Sequence, residues 1–405
     1  MTKTSDRKKL TRGEKWLLVA PLFFVALLFG VVWFHNKTKP IVPYLIIESK
    51  TSGAVESVAL APDGTFAAIL RSQGGPNARI EIYDTFTGAL RTTYTYLVGE
   101  IDGGSSIAIS PDSNWLACTS FSTTRVWNLV TGKEFGDLSK SRAKFSDSDY
   151  FGGAGSLTFS PDSKTLALGD NMEEEPFWND TLRFWNFRKS TKLRFFQNKE
   201  KNYGVPFQCV YPKFSLDGRW ILYASYIDRE RQSPTPRILK TPDSVRIREL
   251  KTGRIIRSFP SRQVIAFAIS PDGKTLVISD YSLPRQKEPS RITAYNIINK
   301  SRKWTTITKS RSEHYDIELR VLDLAFSPDG KTLACQDNVG DVTIRNANTG
   351  ALLTVLEKPR IRVRDNIGGG SRHPALYFSA NGEILLLRTS QGIRLWRTDD
   401  WKHKL

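Results

Sequence analysis

Residues 324–337 read LAFSPDGKTLACQD, and residues 342–353 read VTIRNANTGALL. In the first stretch a Ser-Pro-Asp-Gly turn separates two short apolar runs. Proline presets φ there, aspartate binds nearby backbone amides and glycine tolerates a positive φ. The second stretch alternates apolar and polar residues before another turn, which is typical of a half-buried strand. Together the two stretches predict a meander of short antiparallel strands.

The same unit occurs seven times along the chain, at intervals of 49 to 57 residues. A repeat of about fifty residues with four short strands is typical of a β-propeller. The sequence therefore predicts an all-β fold, a seven-bladed β-propeller of four-stranded blades. We expect the turn residues to be structural and not catalytic, because turn chemistry explains all of them at once. The turn residues are Asp63, Asp112, Asp162, Asp217, Asp272, Asp329 and Asn381.

The chain resembles the WD-repeat propeller family in its predicted third strands, which end in an aromatic residue and a polar one. The resemblance covers residues 43–402 and implies the propeller fold. The family's Gly-His dipeptide is absent, so its histidine-containing hydrogen-bond network is not implied. The matching dipeptides are Tyr83-Asp84, Trp127-Asn128, Trp185-Asn186, Tyr295-Asn296 and, with an arginine in second place, Trp396-Arg397.

Ring closure is also predicted by the pattern. The seventh unit contains three predicted strands, while a strand at residues 44–48 precedes the first unit and has no unit of its own. We expect residues 44–48 to close the last blade, as in propellers of the family that the chain resembles. This interpretation makes residues 43–402 one domain.

Residues 16–34 read WLLVAPLFFVALLFGVVWF, nineteen residues without a charge. A helix of that length spans about 28 Å, which matches the hydrocarbon core of a bilayer. The exit lacks the small-residue site of a cleaved signal peptide, which favours a retained signal-anchor helix over a cleaved one. Lysines and arginines are concentrated in residues 1–15, so we expect a basic cytoplasmic tail, a linker at 35–42 and an extracytoplasmic propeller. The compartment beyond the membrane is periplasmic, lumenal or the cell surface.

The 405 residues carry a formal net charge of +18. Residues 1–40 contribute +6, residues 41–153 contribute −3 and residues 154–405 contribute +15. The chain has three cysteines, too few for a disulfide framework. Cys118 and Cys335 each lie six residues after a turn residue, at an apolar position, so we expect them to be buried as small hydrophobes.

Long insertions fall mainly between the second and third strands of a unit or between units, and in a meander all of these connections lie at one face. Long loops on a rigid scaffold commonly carry function. Two basic insertions are candidates for binding an anionic surface or polymer, and a solvated basic face is the competing interpretation. The candidate residues are Arg229, Arg231, Arg237, Lys240, Arg360, Arg362, Arg364 and Arg372.

A third insertion, Asp170–Asp180, is acidic and aromatic and contains Phe177 and Trp178. Exposed aromatic residues of this kind can form a protein-binding hot spot. The insertion lacks the spaced acidic residues of a calcium loop, so we expect no metal. We expect a plain exposed loop here.

Motifs for catalysis are missing from the sequence: it has no paired histidine spacing, nucleophile elbow or phosphate-binding loop. The predicted innermost strands carry Lys213 and Asp323 as their charges apart from Glu56, without paired carboxylates. We therefore expect a membrane-tethered, non-enzymatic scaffold that binds other proteins, with no cofactor. The alternative is an extracytoplasmic enzyme or small-ligand sensor that uses rim-loop residues. Nucleic acid is disfavoured as a partner, because no motif supports it.

Overall fold

The computed structural model describes residues 41–48, 53–72, 77–97, 105–119, 124–137, 154–174, 177–189, 191–197, 207–227, 244–261, 264–280, 290–307, 320–338, 340–356 and 375–402. Within these ranges no helix has the length and apolarity needed to cross a bilayer. The predicted tail, anchor helix and most of the predicted linker lie outside them.

A first strand, β1 (Leu45–Glu48), precedes the blades. The strands of blade one are β2 (Ala54–Leu60), β3 (Phe66–Ser72), β4 (Asn77–Asp84) and β5 (Leu90–Leu97). Those of blade two are β6 (Ser106–Ile109), β7 (Trp115–Thr119), β8 (Thr124–Asn128) and β9 (Glu134–Asp137). Those of blade three are β10 (Ala154–Phe159), β11 (Thr165–Glu174), β12 (Phe177–Asn186) and β13 (Thr191–Gln197).

The strands of blade four are β14 (Phe207–Phe214), β15 (Trp220–Ile227), β16 (Ser244–Glu249) and β17 (Ile255–Pro260). Those of blade five are β18 (Val264–Ile269), β19 (Thr275–Asp280), β20 (Arg291–Asn296) and β21 (Arg302–Ile307). Those of blade six are β22 (Val321–Phe326), β23 (Thr332–Asp337), β24 (Val342–Asn346) and β25 (Leu352–Val355). Blade seven has β26 (Leu376–Phe378), β27 (Ile384–Arg388) and β28 (Gly392–Arg397), followed by the one-turn helix α1 (Asp399–Lys402).

These strands form seven separate four-stranded antiparallel sheets, and in six of them the strands are paired in chain order. The seventh sheet has the order β1-β28-β27-β26, so its outermost strand comes from the start of the described chain. The predicted seven-bladed propeller of four-stranded blades is confirmed.

The core lies between neighbouring blades, because each sheet buries both faces against the next. Trp396 and Trp401 of blade seven are fully buried against Leu356 of blade six. Cys118 and Cys335 are both free and buried, each 1% exposed, in two different clusters. The prediction that these two cysteines act as small core residues is confirmed.

Side-chain oxygens on the innermost strands also link neighbouring blades. The Ser57 hydroxyl accepts a hydrogen bond from the Ile107 amide at 3.2 Å, and the Ser156 hydroxyl accepts one from the Tyr211 amide at 2.6 Å. The strand β14 is irregular around Tyr211, between Val210 and Lys213. An irregular strand leaves amides unpaired within its own sheet, and the preceding blade satisfies them.

The closing strand β1 contacts both blades that it joins. It pairs with β28 from Leu45 opposite Leu395 to Glu48 opposite Gly392. The hydroxyl of Tyr44 donates to the carbonyl of Thr85 in blade one at 2.9 Å. The ring is therefore closed by residues that are far apart in the chain.

Two faces result from the meander. One face, which we call the turn face, carries the connections from first to second strand and from third to fourth strand. The first set runs through 61–65, 110–114, 160–164, 215–219, 270–274, 327–331 and 379–383, five residues in every blade. The opposite face, the loop face, carries all the other connections, including 138–153, 228–243, 308–320 and 356–375.

Candidate functional site

The predicted basic residues all fall in connections of the loop face. Arg229, Arg231, Arg237 and Lys240 belong to the segment between β15 and β16, and Arg360, Arg362, Arg364 and Arg372 to the segment between β25 and β26. Both segments lie outside the described residues. Binding by these residues stays a prediction. The structure describes the strands on either side of each segment.

The acidic insertion of blade three differs from the expectation. Residues Asp170–Asp180 do not form a plain loop: β11 and β12 continue as a paired hairpin, with Glu173 opposite Trp178 and Glu174 opposite Phe177. The physical reason is that both flanks continue the ladder of the second and third strands, from Asp170 opposite Thr181 to Glu174 opposite Phe177. The hairpin brings Phe177 and Trp178 to its end on the loop face, beside two carboxylate residues in the register.

The turn face is built from hydrogen bonds that each turn makes within itself. In blade six the Ser327 hydroxyl donates to Asp329 Oδ1 at 2.6 Å and accepts from the Thr332 amide at 3.0 Å. Asp329 Oδ1 also accepts from the Lys331 amide at 3.0 Å. These hydrogen bonds from side-chain oxygens to the turn's own backbone favour a short, well-defined turn.

A turn of the same kind forms where the aspartate or the serine is replaced. In blade seven Asn381 Oδ1 accepts from the Ser379 hydroxyl at 2.6 Å and from the Glu383 amide at 3.1 Å. In blade one, where Ala61 replaces the serine, Asp63 Oδ1 accepts from the Thr65 amide at 3.0 Å and from its hydroxyl at 2.9 Å. The turn requires an oxygen that accepts hydrogen bonds at this position. It does not require a charge.

Four of these turn carboxyls have a lowered pKa. Partial burial alone would raise the pKa, but the serine hydroxyl and the backbone amide two residues on together outweigh burial, so each carboxyl favours its ionised form. The four carboxyls are those of Asp162, Asp217, Asp272 and Asp329.

A central cavity of about 670 Å³ runs between the innermost strands of all seven blades. Its walls are mainly apolar, with Phe214, Phe326 and Phe378 partly exposed to it. Residues of the first-to-second turns, among them Pro111 and Leu216, line its opening on the turn face. The volume lies in the range of small-molecule sites.

Lys213 is the charged residue in the lining of this cavity. Its Nζ donates to the Phe267 carbonyl at 2.9 Å and lies 5.4 Å from the centroid of the Phe267 ring. Burial lowers the pKa of Lys213, while the Asp323 carboxylate acts in the opposite direction. The ammonium group is therefore held against blade five.

The charge partner of Lys213 is already occupied by backbone amides. Asp323 accepts hydrogen bonds from the amides of Leu324 at 2.8 Å, Ala375 at 2.6 Å and Leu376 at 2.7 Å. Two of these amides belong to blade seven, so Asp323 joins blade six to it in the way that Ser57 joins blade one to blade two. This carboxylate does structural work between blades.

Two further polar groups near Asp323, those of Tyr377 and Arg388, were not predicted from the sequence. Burial raises the pKa of Tyr377, and Asp323 raises it further. Arg388 is 3% exposed and donates to the carbonyl of Glu56 in blade one at 2.7 Å. The repeat carries a signal for both: Tyr377 aligns with alanine in four other blades, and Arg388 aligns with uncharged residues in all of them.

A buried ion pair was also missed. Arg71 Nε lies 3.1 Å from Glu81 Oε2, with side chains 1% and 4% exposed. Arg71 donates in addition to the carbonyl of Gln391 in blade seven at 2.9 Å. Arg71 therefore links blade one to blade seven at the junction where the ring closes.

Among the residues that the structure describes, no group of three or more histidine, cysteine, aspartate or glutamate side chains could hold a metal ion. The described architecture defines the class of this protein, a seven-bladed β-propeller. No known protein family matches the chain. A search of curated proteins likewise finds no match.

Proposed function

We propose that this chain is a membrane-tethered, non-enzymatic scaffold that binds another protein through the loop face of its propeller. The observation that carries the proposal is the contrast between the two faces. Every first-to-second turn spans five residues, while the connections that span more than ten residues leave from strand ends on the loop face. Such a combination of a rigid frame with long connections at one face is a common arrangement for recognition.

The described hairpin of blade three supports the same face. Its strands β11 and β12 have ten residues each, longer than any other strand of the molecule's described part. Phe177 and Trp178 are at its end, and aromatic residues are enriched at protein-binding hot spots. The hairpin therefore ends at the face from which the segments with the basic residues also leave their strands.

The tether of this proposal is the apolar segment 16–34, with the N-terminus in the cytoplasm and the propeller across the membrane. Ile41 is fixed to the propeller, because its carbonyl accepts a hydrogen bond from Trp396 Nε1 at 3.0 Å. The seven residues from 35 to Ile41 reach at most about 25 Å when extended. The propeller would therefore stay close to the membrane surface.

The experiment starts from crosslinking of the full chain in its native membrane to identify the partner. Three variants, each losing four positive charges, are then compared for retention of that partner. Two are on the loop face: Arg229, Arg231, Arg237 and Lys240 to Gln, and Arg360, Arg362, Arg364 and Arg372 to Gln. The matched control on the turn face changes Arg91, Lys133, Lys331 and Lys402 to Gln.

We expect the partner to be lost from at least one loop-face variant and retained by the control. Equal retention by all three variants would contradict recognition by the basic segments. Loss from the control alone would move the partner to the turn face.

The second candidate function, a small-ligand sensor, is supported by the central cavity. The cavity combines apolar walls with the Lys213 ammonium group, which suits an amphipathic carboxylate. A thermal-shift screen with such compounds tests it. Stabilisation of the wild type that disappears in Lys213→Met would support a sensor, and the absence of any stabilising compound would count against it.

A further inference from the structure

The turn face of blades three to five is strongly cationic. Its turns and the strand ends beside them carry ten exposed lysines and arginines. The acids of the same region are Asp162, Asp217, Glu249 and Asp272, which leaves a net charge of +6 for the side chains described there. The ten cations are Lys164, Arg188, Lys189, Arg219, Lys251, Arg254, Lys274, Lys300, Arg302 and Lys303.

The rest of the turn face has the opposite sign. In blades six, seven, one and two the equivalent positions carry five cations against eight acids, a net of −3. The cations are Lys331, Arg397, Lys402, Arg91 and Lys133, and the acids are Asp329, Glu383, Asp399, Asp400, Asp63, Asp84, Asp112 and Glu134. The turn face is therefore cationic over blades three to five and acidic over the other four blades.

Most of these lysine and arginine side chains are exposed to solvent, and the ion pairs described for them leave them exposed. Arg219 forms an ion pair with Asp217, but the side chain of Arg219 is still 70% exposed. Arg188 lies 3.6 Å from Asp112 with its side chain 44% exposed. Lys251, Arg254, Lys274 and Lys300 are exposed residues of the turns themselves. A partner can therefore approach these groups without breaking the fold.

The shape of the patch favours a flat partner. The turns that carry it are of nearly equal length, four or five residues, and they project from sheets of the same architecture. The turns therefore end at similar heights above their sheets. The cations are spread over three neighbouring blades, as contact with a planar array of anions requires.

The cationic patch lies far from the point at which the chain enters the propeller. The chain enters the propeller at blade seven through β1, which also contacts blade one. In a closed ring of seven, blade four is three blades away from both. The forty residues before Ile41 therefore attach at one side of the disc and the cationic patch lies at the other.

We infer that the turn face of blades three to five rests on anionic lipid headgroups of the membrane that holds the tether. This inference rests on the proposed function for the tether. Two attachments at opposite sides lay the disc flat, with the turn face towards the lipid and the loop face towards a protein partner. Each lysine or arginine near an anionic leaflet contributes roughly a fivefold factor to the docking equilibrium, and salt weakens it.

The experiment uses the full chain mixed with neutral phosphatidylcholine vesicles and with vesicles that contain anionic phosphatidylglycerol. Co-sedimentation with neutral vesicles reports the tether alone. Acylation of Lys164 and Lys189, read by mass spectrometry, reports docking of the patch. The variant changes Lys251, Lys274 and Lys300 to Gln, and the matched control changes Lys133, Lys331 and Lys402 of the same face to Gln.

We expect Lys164 and Lys189 to be protected from acylation on anionic vesicles and not on neutral ones, with the protection lost at high salt. The patch variant should shift the docking equilibrium towards the undocked state on the order of 100-fold, and the control should leave it near the wild-type value. Equal acylation on both lipids would overturn the inference. So would protection by soluble polyphosphate that exceeds protection by anionic vesicles, because the partner would then be a free polyanion.

The two proposals can fail separately. A chain that does not sediment with neutral vesicles refutes the tether, and the protection on anionic vesicles then decides the patch alone. A chain that sediments with both lipids and shows no difference in protection keeps the tether and refutes the patch.

Discussion

Ser270 and Asp272 show how single side chains shape the turn face. The serine hydroxyl donates to Asp272 Oδ1 at 2.5 Å and accepts from the Thr275 amide at 2.9 Å. The Lys274 amide donates to the same carboxylate oxygen at 3.0 Å. Because blade seven makes this arrangement with Asn381, the carboxylate acts through its oxygen, and its charge adds a dependence on pH.

We expect Asp272→Ala to lower the free energy of unfolding by about 1–2 kcal/mol, because two donors lose their acceptor. Asp272→Asn should cost less than about 1 kcal/mol, since the amide oxygen replaces the carboxylate oxygen as in blade seven. Urea unfolding at pH 7 measures both. An Asn variant as unstable as the Ala variant would contradict the role assigned to the oxygen.

Acid should destabilise the turns. The pKa of Asp272 is lower in the fold than in the unfolded chain, so its contribution is complete above about pH 4 and is lost as the pH falls through the lowered value. Melting temperatures between pH 7 and pH 3 should therefore fall less steeply for Asp272→Asn than for the wild type. Parallel curves would refute this.

Substitution of Asp323 should lower the free energy of unfolding far more than substitution of a turn aspartate. It accepts three backbone amides at 2.6–2.8 Å and is 5% exposed. An asparagine presents an NH₂ group where one carboxylate oxygen stood, so we expect Asp323→Asn to cost about 2–4 kcal/mol. The matched control is the exposed Asp329→Asn, which should be nearly neutral in the same urea titration. Similar losses in both variants would contradict a link between blades at Asp323.

At the scale of elements, aromatic residues of one blade pack beneath the third-to-fourth turn of the next. A Cβ on Gly350 of blade six would meet the ring of Trp304 in blade five at 2.6 Å. Gly350 has a φ of +73°, and Trp304 Nε1 donates to the carbonyl of Ala347 in the same turn at 3.0 Å. The turn is therefore a contact surface between blades as well as a connection.

Gly132 provides a matched control for this packing. It occupies the equivalent turn of blade two with a φ of +69°, and nothing lies within 4 Å of an added Cβ. Both Gly→Ala changes cost about 1–2 kcal/mol for the left-handed backbone, and Gly350→Ala adds about 1–3 kcal/mol for the collision. Equal losses in urea unfolding would show that the Trp304 contact contributes nothing.

The elements were predictable where local chemistry decides them. The Pro-Asp-Gly turns and the alternating strands specify the blades within each repeat, and the predicted third strands end at Asp84, Asn128 and Asn186 as the strands do. The hairpin at Phe177 and Trp178 was not predicted, because acidic residues and a proline are uncommon in strands. Pairing between β11 and β12 outweighs that local preference.

The partners that Arg71 and Asp323 find in other blades could not be predicted from the sequence. Arg71 and Gln391 are separated by most of the chain, and Asp323 meets amides more than fifty residues away. Each looks like an ordinary charged or polar residue within its own repeat. The predicted binding residues on the loop face stay predictions, since they depend on segments outside the described residues.

At the scale of the whole molecule, closure depends on the approach of β1 to β28. A Cβ on Gly392 would collide with the carbonyl oxygen of Ile47. We expect Gly392→Val to displace β1 and expose Leu45–Glu48 to hydrogen exchange, while the neighbouring exposed Gln391→Val leaves these amides protected. Protection that is unchanged in Gly392→Val would contradict closure through this strand.

Taken together, the two proposals give the faces of the propeller different partners, a protein at the loop face and an anionic membrane at the turn face. Site-specific photo-crosslinking of the full chain in its native membrane tests this assignment most directly, with the probe at Gln391 for the loop face and at Lys300 for the turn face of blade five. We expect crosslinks to protein from position 391 and to lipid from position 300. Lipid crosslinks from position 391, or protein and no lipid from position 300, would contradict it.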